Sequence, residues 1–383
     1  MDLGVGGPHM RLLILDQFSD AGGAQQMLME LLPAVRERGW EALVGMPGDG
    51  EMFKRVAALG FETARIACGP YRSGRKSPVD ALRFLTGTPG LAWQIRSLAE
   101  HVRADLVYVN GPRLLPGVAG ARLPVVFHSH SYVTGLARRV AGQALRRADA
   151  SVIAACRFVA EPWTAFVPRE RVTVIYNGVA APPRGVSRCG SGPSIVGCIG
   201  RIAPGKGQRE FVRAAAIIHR ALPDCRFAVF GAPLFGDARA ERYATRVRAE
   251  AAGLPVEFHG WVEDIYAALS RLDLLLVPSV GPEATTRVIL EAFAAGVPVI
   301  ALPSGGIPEV VESGYGLLAG SAEHMAALAV ELLKGPPETR ARMVQAARER
   351  WRERFTPERY RQEVLATIEC AALGSGAREL TNV

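Results

Sequence analysis

Three short stretches in the second half of the chain hold residue types that can bind and polarise an anion. The first is Gly197-Cys198-Ile199-Gly200-Arg201-Ile202-Ala203-Pro204-Gly205-Lys206-Gly207. An apolar strand ends at Gly200, Arg201 and Lys206 lie on the Gly/Pro-rich loop that follows, and a helix begins near Gly207. Two cations beside a helix N-terminus, where unpaired N–H groups and the helix dipole add to their charge, make a site for a diphosphate. A solvated loop with two surface cations fits the spacing equally well. The loop is not a Walker A motif, because the order GxxxxGK[ST] is absent.

The second stretch runs from Pro278 through Glu283 to Glu291. Glu283 falls just beyond the strand Leu274–Val277, Thr285 or Thr286 can cap the next helix, and Glu291 follows eight residues after Glu283. On an ideal helix that spacing separates the two carboxylates by only ~80°, so both can accept hydrogen bonds from hydroxyls of a sugar or a ribose. Apolar Leu290, Ala292 and Phe293 argue against a merely solvated pair. The third stretch, Pro303-Ser304-Gly305-Gly306-Ile307-Pro308-Glu309, follows the strand Val297–Ala301. Its glycines let the backbone approach a ligand, and Pro308 suits a first helical turn. In the first half, Gly22-Gly23 opens a helix after the strand Arg11–Leu15, and His128-Ser129-His130 ends a strand that begins at Pro124. The chain is expected to turn there, so at most one of the two histidines faces a ligand. No further His, Cys or Asp cluster supports a metal site.

The elements that must carry these residues alternate along the chain. Apolar runs of four to six residues (Leu106–Val109, Ala150–Ala154 and Val172–Ile175; then Ile195–Ile199, Arg226–Phe230 and Val256–His259) are separated by helical periodicities, including Ala24–Arg38, Arg209–Leu222 and Ala238–Ala252. That order means βαβ units and parallel sheets. The chain has 383 residues, enough for two such domains. The Pro/Gly/Ser-rich stretch 180–193 is the expected seam, and residues 70–90 read as a loop excursion. The expected division is 9–179, joined by a terminal helix over 357–373, and 180–356. The last ten residues are expected to be loose. Open parallel sheets bind ligands at the carboxyl ends of their strands, so the cleft between two such domains is the default site.

Composition excludes several classes. With 49% hydrophobic and 21% charged residues, wholesale disorder is ruled out. No apolar run approaches the ~20 residues that span a bilayer, and no signal peptide is read at the N-terminus. Six cysteines without a CxxC pair suit a reduced, cytoplasmic chain better than a disulfide scaffold or zinc site. Most of the +8 net charge sits in residues 1–178, where 21 Lys and Arg face 15 Asp and Glu. This excess is too diffuse for nucleic-acid binding. No GxGxxG follows either first strand, which argues against a dinucleotide-dependent oxidoreductase.

In this order and spacing the residues resemble family 4 of the glycosyltransferases, the large retaining family with the two-Rossmann-domain (GT-B) fold. Glu283 to Glu291 within PSVGPEATTRVILEAFAAGVPVIA, the following GGIPEVV, Gly200-Arg201 with Lys206-Gly207, Gly22-Gly23 and Tyr176-Asn177-Gly178-Val179 carry the resemblance. It implies two doubly wound parallel-sheet domains facing each other across a cleft. It also implies transfer of a sugar from a nucleotide-diphosphate-sugar donor to a glycan, lipid-linked or small-molecule acceptor. Arg201 and Lys206 would neutralise the donor diphosphate, Glu291 would hold the ribose and Glu283 the transferred sugar. Gly200, Gly305, Gly306 and Ile307 would line sugar and phosphate. Gly22 and Gly23 would close over the phosphates from the other domain, Trp261 and Val262 would lie near the nucleobase, and His130, favoured over His128, would help position sugar and acceptor. A nucleotide-sugar epimerase or hydrolase of the same fold is the alternative.

No Asp-x-Asp occurs anywhere, and Arg201 and Lys206 can take a metal's place, so no metal or other cofactor is expected. No strong base is evident on the acceptor face, which fits a front-side mechanism with the leaving phosphate accepting the acceptor's proton. Two departures stand out: Ala284-Thr285-Thr286 replaces the frequent Gly-Phe-Gly after Glu283, and Gln25 replaces the common Glu after the N-terminal glycines. Residues 132–147, with Arg138, Arg139, Arg146 and Arg147, can lie on anionic lipid as a basic amphipathic helix, or can pack as an ordinary surface helix. Arg72, Arg75 and Lys76 add to the charge of this half of the chain. The enzyme is therefore expected in the cytoplasm, at most peripheral to the inner face of the membrane.

Overall fold

The computed structural model describes residues 9–20, 22–68, 78–183, 192–234, 237–312 and 314–379. Arg72, Arg75, Lys76 and Cys189 lie outside them, as does most of the stretch 180–193. The chain divides into two compact units, one holding residues up to Tyr176 and from Glu358 onward, the other Asn177–Pro357.

The first unit contains strands β1 (Arg11–Asp16), β2 (Glu41–Met46), β3 (Glu62–Arg65), β4 (Leu106–Asn110), β5 (Val125–Ser129), β6 (Ser151–Ala154) and β7 (Val172–Val174). They form one sheet in the order β3-β2-β1-β4-β5-β6-β7, and every pairing is parallel. Leu12 through Leu15 are completely buried. A central strand covered by helices on both faces must be apolar on both faces, which is why this run does not alternate. The order reverses between β1 and β4, whose last residues, Asp16 and Asn110, are register partners. At such a switch point the flanking connections leave on opposite faces and open a crevice at the strand ends.

The second unit repeats the plan with β8 (Ile195–Ile199), β9 (Arg226–Phe230), β10 (Val256–Gly260), β11 (Leu274–Val277), β12 (Val299–Ala301) and β13 (Leu317–Leu318). Their order is β10-β9-β8-β11-β12-β13, again all parallel. Here the switch point falls between β8 and β11. Pro298 precedes β12 rather than entering it.

The final helix, Pro357–Glu379, extends beyond the expected 373 into the last ten residues. It belongs to the first unit: Tyr360, Val364, Leu365 and Ile368 are buried in one core with Leu12, Ile14 and Tyr108, and Arg38 grips Glu369 at 2.7 Å. The segment at Val179 joins the second unit. Val179 N–H donates to the Phe355 carbonyl at 2.9 Å, and Trp351 Nε1 donates to the Val179 carbonyl at 3.0 Å. The loop expected over 70–90 is corrected in its described part: Pro78–His101 is a helix. Gly87, Pro89 and Gly90 disguise it, but Leu91, Ile95 and Ala99 recur at helical spacing and are buried.

Ile368 is completely buried. Truncating such a side chain costs about 2–5 kcal/mol. Ile368→Ala should accelerate amide hydrogen exchange in β1 and β4 and leave β8 and β11 unchanged. Equal acceleration in both sheets would show that the final helix does not belong to the first unit alone.

Candidate active site

In the second unit three loops after adjacent strands are tied into one constellation. After β8, the turn Pro204–Lys206 leads into the helix Gln208–Ala221 through Gly207, which is left-handed with φ +71. A Cβ at Gly207 would lie 1.7 Å from the Pro278 carbonyl oxygen, so no other residue fits there. The Gly205 carbonyl accepts from Val280 N–H at 3.0 Å and Gly281 N–H at 2.9 Å, which ties this loop to the one after β11. Lys206 Nζ then reaches both carboxylate oxygens of Glu283, at 2.8 and 2.9 Å. The loop after β12 closes the set: Gly306 N–H donates to the Glu283 carbonyl at 2.9 Å, and Ser304 Oγ donates to the Gly281 carbonyl. Gly305 (φ +58) packs so closely that a Cβ would lie 2.1 Å from the Glu283 oxygen.

Several expectations change in detail. Glu283 lies in a loop outside the helix Arg287–Ala295, so the helical angle between Glu283 and Glu291 does not apply. Thr286 occupies the N-cap position but makes no capping bond, and its buried hydroxyl has no partner. The N–H groups of Gly306 and Ile307 are engaged inside the loop, Ile307 with the Ser304 carbonyl at 3.1 Å, and the Ile307 side chain is wholly buried. Arg201 is partly buried just beyond Gly200, and its carbonyl accepts from Gln208 Nε2 at 3.0 Å. Glu291 is buried and pairs with Arg287 at 3.2 Å. Burial raises its pKa, and the Arg287 charge opposes the rise. Trp261 stands 54% exposed just past β10, an aromatic surface open to stacking, with half-buried Val262 beside it.

In the first unit, Gly22 caps the helix Gly23–Glu37, whose first turn carries no acidic residue, and a Cβ at Gly23 would meet nothing within 4 Å. Gln25 turns inward, and its Nε2 donates to Asp16 Oδ1 at 2.8 Å. A glutamate there would set a second carboxylate against that of Asp16. Asp16 Oδ2 accepts from Asn110 Nδ2 at 2.5 Å, and Asn110 Oδ1 faces His130 Nε2 at 2.7 Å. The rings of His128 and His130 stack with centroids 3.9 Å apart. His128 is fully buried, with its Nδ1 2.5 Å from the Tyr108 hydroxyl. His130 keeps partial exposure. Burial pushes Asp16 up from 3.8 to about 6 against its four hydrogen bonds, and holds His130 down to about 3. The Asp16–Asn110 pair escaped the sequence reading. Its signal was a polar residue closing each of two apolar strands.

Helix Gly135–Arg147 packs through Ala141, Ala144 and Leu145 and leaves Leu136 exposed. Cys68, Cys156, Cys198 and Cys225 are buried, whereas Cys370 is exposed. Among the described residues no group of three or more His, Cys, Asp or Glu side chains could hold a metal ion, and no helix is long and apolar enough to cross a membrane.

Two parallel-sheet units with a cation, a carboxylate and helix N-termini at the second switch point define a GT-B architecture, and comparison with known proteins agrees. The profile described as Glycosyltransferase Family 4 matches residues 21–181, and that described as Glycosyl transferases group 1 matches residues 193–335. A GDP-mannose-dependent alpha-(1-6)-phosphatidylinositol monomannoside mannosyltransferase of Mycolicibacterium smegmatis is 30% identical over 79% of this chain and 83% of its own length. A related mannosyltransferase of Corynebacterium glutamicum, acting by name on a monoacylated phosphatidylinositol monomannoside, is 32% identical over 37% of this chain and 38% of its own. For several curated relatives the match thus spans half of their length or less. The crystal structure of HepE from Anabaena with UDP and glucose superimposes with a TM-score of 0.77 at 25% identity, over 94% of this chain and all of that one. The chain belongs to family 4 of the glycosyltransferases.

The shift of Asp16 has a thermodynamic consequence. A carboxyl group whose pKa is higher folded than unfolded favours folding when protonated, so its contribution is lost as pH rises from about 4 to about 6. Between pH 4.5 and pH 7 the wild-type chain should lose about 2 kcal/mol relative to Asp16→Asn, measured by urea unfolding at both pH values. Parallel pH dependence of the two proteins would show that Asp16 titrates normally.

Proposed function

We propose that the chain is a retaining, metal-independent glycosyltransferase that moves a sugar from a nucleoside-diphosphate-sugar to an acceptor hydroxyl. The observation that carries this reading is Lys206, which sits on the turn preceding the helix Gln208–Ala221 and is held bidentately by Glu283. A diphosphate arriving there exchanges with the carboxylate for Lys206 and meets the helix N-terminus. Arg201 and Lys206 then stabilise the charge that develops as the sugar–phosphate bond breaks. Glu283, released from the cation, turns to hydroxyls of the transferred sugar. Glu291 takes the ribose, Trp261 and Val262 the base, and the loop at Gly200, Gly305, Gly306 and Ile307 shapes the sugar and phosphate pocket.

The first unit contributes Gly22 and Gly23 toward the phosphates and His130 toward the sugar. The departing phosphate oxygen takes the acceptor's proton as the new bond forms on the same face, so the anomeric configuration is kept. The names of the mannosyltransferase relatives support a lipid-linked or polyol acceptor, and the UDP bound to HepE supports a nucleoside diphosphate. A peripheral, cytoplasmic-face position fits such an acceptor. Exposed Arg139, Arg146 and Arg147 beside exposed Leu136 and Val140 suit an anionic lipid surface.

In chelator, UDP or GDP at about 100 times its dissociation constant should stabilise the wild-type chain by ~2.7 kcal/mol. Lys206→Ala should lose that shift and roughly 100- to 1,000-fold in kcat/KM for the nucleotide-sugar. Undiminished transfer by the variant, or turnover strictly dependent on magnesium or manganese, would contradict the assignment. Conversion of the donor without acceptor to an epimer or free sugar would favour the alternative of an epimerase or hydrolase.

A further inference from the structure

The switch point of the first sheet carries a directed chain of hydrogen bonds that ends on His130. Asp16 Oδ1 accepts from Phe18 N–H at 2.9 Å and Gln25 Nε2 at 2.8 Å, and Oδ2 accepts from Asn110 Nδ2 at 2.5 Å. A carboxylate has nothing to donate, so the Asn110 amide must point its NH2 at Asp16 and its oxygen at His130. Oδ1 in turn only accepts, so the proton of the neutral imidazole sits on Nε2, 2.7 Å away. His130 Nδ1 is left as a lone pair, buried and without a partner. The His128 ring, stacked beneath at 3.9 Å and held by the Tyr108 hydroxyl, fixes the plane.

We propose that Asp16 and Asn110 are positioning residues that lock His130 as its Nε2–H tautomer, so that Nδ1 is kept as an acceptor. What that acceptor does in sugar transfer rests on the glycosyltransferase reading, whereas the direction of the chain does not. A neutral amide at position 16 would fit the same space with the opposite polarity. It would donate to Asn110, the Asn110 amide would rotate to donate to Nε2, and the imidazole proton would move to Nδ1. The only bond forfeited is the 3.4 Å contact from Asn110 Nδ2 to the Ala24 carbonyl. A charge at position 16, costly to bury, therefore sets the polarity of the chain.

The test uses the full chain labelled with 15N-histidine, with two-bond proton–nitrogen correlations at pH 7.5 and His130 assigned by His130→Gln. The wild type should show a protonated Nε2. Asp16→Asn should show a protonated Nδ1, with kcat lowered about tenfold and the nucleotide-sugar KM within about threefold of wild type. The exchange Asp16→Asn with Asn110→Asp places a donor at 16 and keeps an acceptor at 110 facing Nε2, and should return both the Nε2–H signature and most of kcat. Should the exchange not fold, Asn110→Leu, which leaves nothing opposite Nε2, should give a mixture of tautomers. A protonated Nδ1 in the wild type, or a tautomer and kcat indifferent to Asp16→Asn, overturns the proposal. The expected tautomers in a chain that turns over no nucleotide-sugar would refute the glycosyltransferase reading while leaving the relay in place.

Discussion

A parallel sheet covered on both faces leaves polar side chains room only at the ends of its strands, and that constraint governs both units. Leu12 to Leu15 and Leu274 to Leu276 are entirely buried, so the first residues able to carry charge or donate hydrogen bonds are those just past them. At the switch point of each sheet two such ends adjoin. In the second unit they present Lys206 and Glu283. In the first they present Asp16 and Asn110. The same geometry thus yields a lysine–glutamate pair in one unit and a buried hydrogen-bond chain in the other, and the difference lies in side-chain choice.

On the proposed function, the pairing of Lys206 with Glu283 solves a problem common to anion sites. A lysine poised for a diphosphate but left alone would be half-desolvated without compensation, and a neighbouring carboxylate offsets that cost. The carboxylate must then find another partner when phosphate arrives, and the hydroxyls of a sugar provide one. On the proposed function, ligand exchange at Lys206 and sugar recognition by Glu283 become a single event. Gly207 and Gly305 each sit where a Cβ would strike a carbonyl oxygen, so only glycine lets the three loops pack this closely.

Much of this was legible in the sequence, for physical reasons. β8, β9 and β11 were found to the residue because a central parallel strand is a continuous apolar run. β3, Glu62-Thr63-Ala64-Arg65, was missed because an edge strand has no such requirement, and the helix over 78–101 was hidden by Gly87, Pro89 and Gly90. The cation and carboxylate loops were visible because each follows its strand directly. Their mutual geometry was not, since Pro282 and the residues around it keep Glu283 off the helix that carries Glu291. The relay was invisible for a different reason. Asp16 and Asn110 are 94 positions apart, and only the register of β1 against β4 brings them together.

The central claim is that a pyrophosphate is received by a cation that the resting site keeps neutralised with Glu283. The affinity of a nucleoside diphosphate for Glu283→Gln, measured by calorimetry in chelator, tests it most directly. Removing the competing carboxylate should tighten UDP or GDP binding several-fold relative to wild type while sugar transfer falls. Binding that is unchanged or weaker in the variant would contradict the account, because Lys206 would then not be the group the phosphate must win.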